Sequence, residues 1–90
     1  MDERKQLENA VERHLTKRVK QARGRCIKQY MRGWPDRLCV LPGRIFFVET
    51  KRPKGGRYQP LQLYMHRMIR RMGHAVYLCK TKGEVDEIFE

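Results

Sequence analysis

From Leu38 to Val48 the chain is apolar almost without a break, and only Pro42-Gly43-Arg44 interrupts it. Two short apolar runs on either side of a proline-glycine pair read as a β-hairpin. Leu38, Cys39, Val40 and Leu41 form one run, consistent with a strand covered on both faces. In the second run Ile45 and Phe47 fall on one face and Phe46 and Val48 on the other, which predicts a central strand. The outer ends of the hairpin are polar: Gly33-Trp34-Pro35-Asp36-Arg37 leads in and Glu49-Thr50-Lys51 leads out. Pro35 disfavours helix at Trp34 and predicts an extended approach to Asp36. Strand alternation puts Glu49 and Lys51 on the same side, one pleat apart. The hairpin therefore gathers Asp36, Glu49 and Lys51 at one end.

Charge gives that grouping its meaning. The formal net charge is +11 and the pI near 10.1, which points to a polyanionic partner, nucleic acid before membrane. Nineteen of the 21 Lys and Arg residues lie between Arg13 and Gly83, where Asp36 and Glu49 are the only acids. Carboxylates inside a phosphate-binding surface repel the ligand, so a pure binding module gains nothing from them. A metal ion bridging carboxylate to phosphate resolves the conflict. Two carboxylates and an ammonium at a strand end are what a magnesium-dependent phosphodiester hydrolase requires. The competing readings are a turn-forming Asp36, a Glu49 that only pairs with Lys51, and a non-enzymatic basic nucleic-acid-binding module.

The remaining segments frame the hairpin. Residues 3–22 predict an amphipathic helix with a stripe of Leu7, Val11, Leu15, Val19 and Ala22, and with Gly24 as its C-cap. Glu8 lies roughly 20° from Leu15 on that wheel and Glu12 roughly 60°, which is anomalous unless the helix leans over a polar site; the competing reading is that both acids complement the helix dipole. Residues 25–31 predict a strand. Residues 53–57 predict a basic loop in which Lys54 and Arg57 could hold phosphate. Pro60 to Met72 predicts a second helix stopped by Gly73, with Leu61, Met65, Met68 and Met72 buried. Arg67, Arg70 and Arg71 form its basic face, Leu63 is a lone exposed apolar residue, and Gln62 is placed to reach the hairpin site. Residues 74–79 predict a parallel strand. Thr81 and Glu84 then open a short helix with a capping box. The order α-β-β-β-α-β-α implies an α/β fold, a small mixed sheet flanked by helices.

Cys26, Cys39 and Cys79 read as small buried hydrophobes, since no cysteine or histidine spacing suits zinc. Ninety residues allow one modest core, which a partner subunit would help. No apolar run approaches a membrane-spanning length, so the expected location is intracellular, cytoplasmic.

The pattern Gly33-x-Pro35-Asp36-Arg37, apolar hairpin, Phe47-Val48-Glu49-Thr50-Lys51, then Leu61-Gln62 opening a helix that closes at Gly73, resembles the VRR-NUC (virus-type replication-repair nuclease) branch of the PD-(D/E)XK superfamily. The resemblance covers nearly all of residues 1–90 and implies a single endonuclease domain with a restriction-endonuclease-like core. It implies a magnesium or manganese ion held by Asp36, Glu49 and the Thr50 carbonyl. Lys51 would orient the attacking water, Gln62 would support the site, and a glutamate on the first helix would join through water. The family's spacing favours Glu12 for that role, with Glu8 as the alternative. Gln59 departs from the small hydroxyl cap that the family often has before the proline. Small members of the branch resemble archaeal-type Holliday junction resolvases and work as homodimers, so the expected substrate is branched DNA. A nicking or flap-cutting repair nuclease is the alternative. Arg37, Lys54, Arg57, Arg67, Arg70 and Arg71 are the candidate DNA-backbone contacts.

Overall fold

A computed structural model of the chain describes residues 3–51, 57 and 59–90, with the first helix's side chains from Asn9 onward. The elements follow the expected order: α1 (Glu3–Gln21), β1 (Arg25–Lys28), β2 (Arg37–Leu41), β3 (Arg44–Thr50), α2 (Pro60–Arg71), β4 (Val76–Cys79) and α3 (Lys82–Ile88). They make one four-stranded sheet in the order β1-β2-β3-β4. β1, β2 and β3 pair antiparallel, and β4 joins β3 in parallel through α2. The hairpin turns at Pro42-Gly43 with Leu41 opposite Arg44, and Gly43 takes a φ of +73°. β3 is the central strand that its apolar faces predict.

Alternation along β3 sends its side chains to two different helices. On one face Phe46, Val48 and Cys39 pack under Val11, Leu15 and Val19 of α1, with Cys79 and with Val85 and Ile88 of α3 completing the core. Asp86 ties α3 to α1, pairing with Arg18 and lying 2.7 Å from His14 Nε2. On the opposite face Phe47 meets Trp34, with ring centroids 6.1 Å apart, and Glu49 meets α2. Ile45, on this second face, is 60% exposed, because α2 does not extend over the turn end of the hairpin.

Four expectations need correction. First, β1 ends at Lys28 rather than residue 31, because the chain must reverse before Asp36. Gln29 N donates to Asp36 O at 2.7 Å, and the reversal consumes the residues between. Second, the left-handed residue closing α1 is Arg23 (φ +64°), not Gly24. Gly24 N donates to Val19 O and Arg23 N to Lys20 O, a Schellman close. Gly24 serves close approach instead: a Cβ there would sit 2.4 Å from Val40 O. Gly24→Ala is therefore expected to cost roughly 1–3 kcal/mol in a urea titration, whereas Arg23→Gly relieves the strained φ. Third, the buried side chains of α2 are His66 and Ile69, while Leu61 and Met72 are exposed and Met65 and Met68 half-buried. The sheet-facing stripe is turned by one residue, about 100°, from the apolar one. Fourth, Cys39 and Cys79 are buried but Cys26, opposite Cys39 on β1, is only half-buried.

Among the described residues no helix is long and apolar enough to cross a membrane.

Candidate active site

The polar residues meet where β2 begins and β3 ends. The register that sets Arg37 against Val48 brings Asp36 opposite Glu49. Two bonds tie the strand ends together: Asp36 N donates to Glu49 Oε1 at 3.2 Å, and Thr50 N donates to Asp36 Oδ2 at 3.2 Å. Lys51 is fixed through its backbone, whose N–H donates to Cys79 O at 3.0 Å and extends the parallel pairing past β3. Its ammonium lies 3.3 Å from Glu49 Oε2 and donates to Gln62 Oε1 at 3.1 Å.

Gln62 works at both the helix start and the site. Its Oε1 also accepts the Gln59 N–H at 2.9 Å, and its Nε2 donates to Glu49 Oε2 at 3.4 Å. The helix start that Gln59 leaves without a small hydroxyl is thus secured from within by Gln62. Glu12 comes from α1, on the other face of the sheet. Its Oε1 accepts from the Thr50 hydroxyl at 3.1 Å, and its Oε2 lies 3.5 Å from Arg37 Nη2. Glu8's side chain and Lys54 lie outside the described residues.

Two features had not been anticipated. His66 is buried with Nε2 3.8 Å from Glu49 Oε1; it stands four residues after Gln62, on the same helix face, and that spacing was the available signal. Burial, with Arg70 and Lys51 nearby, lowers its pKa to about 4, so it is neutral at pH 7. The other is Arg37, considered for the DNA surface, which is largely buried and turned toward Glu12. Arg57, Arg67, Arg70 and Arg71 are exposed, although Arg70 Nη2 donates to Val76 O.

Glu49 is 2% exposed, and burial, followed by repulsion from Asp36, raises its pKa to about 7 against the pull of Lys51. A carboxylate pair short of positive charge is the donor chemistry that suits a hard divalent cation. Among the described residues no group of three or more His, Cys, Asp or Glu side chains is arranged to hold a metal ion. Asp36 and Glu49 would therefore need oxygen from the Thr50 carbonyl and water.

The same shift sets a pH dependence. Glu49 keeps its proton to about pH 7 in the folded chain, against 4.5 as the ordinary value. Its contribution to stability is full below pH 4.5 and is lost as pH rises through 7, by up to about 3 kcal/mol. Urea unfolding in chelator is expected to show that fall between about pH 4.5 and 7, and Glu49→Gln should flatten it.

No family model matches the chain. It is 40% identical over 79 residues to "Putative nuclease p44" of Acyrthosiphon pisum secondary endosymbiont phage 1, covering 83% of this chain and 84% of that protein. A solved structure described as "VRR_NUC domain" matches it with a TM-score of 0.85 and 30% identity, over 92% of this chain and 94% of that one. With that fold and those residues at one end of its sheet, the chain belongs to the VRR-NUC family of PD-(D/E)XK nucleases.

Proposed function

We propose that this nuclease is a metal-dependent, structure-specific DNA endonuclease that cuts four-way junctions as a homodimer. The observation that carries the reading is the half-buried Asp36 paired with the buried Glu49, joined to Lys51 and set in a chain of net charge +11. Asp36, Glu49 and the Thr50 carbonyl would hold a magnesium or manganese ion, with Glu12 reaching it through water. The bound ion would supply positive charge to the scissile phosphate and make water a stronger acid.

The chain's own residues do the rest. Lys51 donates from its ammonium to the attacking water and offsets charge growing on the phosphate. Gln62 holds that ammonium beside Glu49. Exposed Arg57, Arg67 and Arg71 bind backbone phosphates without reading bases, so recognition follows DNA shape and weakens steeply with salt. Homodimerisation has support in Leu61, Leu63 and Tyr64 of α2 and in its C-cap Met72, apolar surface that one copy leaves exposed. A two-fold axis would present two sites to the two strands cut at a junction.

The test is a substrate panel of four-way junction, flap, splayed arm, duplex and single strand, with magnesium and with chelator. Paired symmetric nicks in the junction, lost in chelator, are expected. Cutting confined to the flap or a single nick would favour a repair nickase. Binding that ignores metal, with no cutting anywhere, would return the chain to a binding module.

A further inference from the structure

Thr50 occupies a position that its neighbours on β3 cannot fill. Glu49 faces α2, where Gln62 and Lys51 hold it, whereas Thr50 faces α1, the helix that carries Glu12. Glu12 therefore reaches the site from the far side of the sheet. Its carboxylate has two ties among the described groups: the Thr50 hydroxyl at 3.1 Å and Arg37 Nη2 at 3.5 Å.

The hydroxyl also lies 3.3 Å from Asp36 Oδ2, but that oxygen already accepts the Thr50 N–H at 3.2 Å. A hydroxyl has one proton to donate. Asp36 keeps its amide bond if the hydroxyl is removed, whereas Glu12 keeps only the longer contact to Arg37. Thr50 is 1% exposed, so water does not readily replace the lost donor.

We infer that the Thr50 side chain is a positioning residue: its hydroxyl, with Arg37 on the other oxygen, sets the Glu12 carboxylate in register with Asp36. This deepens the nuclease reading and rests on it for its kinetic test. The Thr50 carbonyl would face the ion in that reading, so one residue would serve through its backbone on the metal and through its side chain on Glu12.

The experiment compares Thr50→Val, which keeps the shape and loses the hydroxyl, with Thr50→Ser, which keeps the hydroxyl. Single-turnover cleavage in magnesium is expected to slow on the order of 10–100-fold in Thr50→Val, with the KM for DNA unchanged. Thr50→Ser should recover most of the rate. In a Glu12→Ala background, Thr50→Val should cost nothing further, because Thr50 then has no carboxylate to position. A second readout needs no activity: the Glu12 carboxylate carbon resonance should move in Thr50→Val and return in Thr50→Ser. An unmoved Glu12 resonance overturns the inference, as does a Thr50→Val loss that multiplies with that of Glu12→Ala. Cleavage that survives Asp36→Ala and Glu49→Ala would instead overturn the metal-site reading, and the Glu12 resonance would still decide the role of Thr50.

Discussion

Glu49→Ala and Asp36→Ala are each expected to abolish cleavage while leaving DNA affinity within a few-fold of the parent. The two carboxylates are the acids that would bring a divalent ion to the phosphate, and losing either would remove several kcal/mol of transition-state stabilisation, ~10³-fold or more in rate. Affinity should survive if the exposed arginines, and not these acids, hold the DNA backbone as proposed. Binding could even tighten slightly as a negative charge leaves a positive surface. Single-turnover cleavage beside a filter-binding titration separates the two quantities. Retained cleavage in either variant would sink the site assignment. Glu49→Gln sharpens the test: it should be as inactive as alanine, yet more stable than the parent at pH 8 in chelator. A buried charge whose pKa is raised to about 7 is a cost to the fold that only function explains.

The largest stability effect is expected at Phe46. Its ring is fully buried beneath α1 and meets Tyr77 and Phe89 edge-on, with centroids 5.6 and 6.0 Å away. Phe46→Ala should cost about 3–5 kcal/mol, from lost transfer free energy and an uncollapsed cavity. For a domain of this size that is a large share of the roughly 5–15 kcal/mol usually available. Urea unfolding followed by Trp34 fluorescence would measure it. A loss below about 1 kcal/mol would mean that the core closes around the gap.

The hairpin and its acids were legible because both depend on local rules. Apolar runs around a proline-glycine turn set the strands, and strand alternation then fixes which way Glu49 and Lys51 point. The charge distribution added that two acids in a basic stretch need a reason. What the sequence hid lay in tertiary recruitment. The apolar stripe of α2 suggested that Leu61 and Met72 face the sheet, yet the polar site draws Gln62 and His66 inward instead. Hydrophobic periodicity cannot see a buried polar neighbour. The Thr50 hydroxyl was hidden for a similar reason, since its partner Glu12 lies 38 positions away on another element. Gly24 misled in the opposite direction: it looked like a cap, but the crowding at Val40 that demands glycine exists only once β1 and β2 have paired.

The two hydrogen bonds that Gln62 Oε1 accepts, from the Gln59 amide and the Lys51 ammonium, have a spectroscopic consequence. Gln59 is exposed, so its amide proton should trade with solvent deuterium within seconds unless that side chain holds it. The exchange rate of this one amide therefore reports how firmly Gln62 is anchored. It should quicken in Lys51→Ala, where the far end of the anchor is gone. A peripheral helix rim thereby becomes a clock for the centre, readable before any DNA is cut.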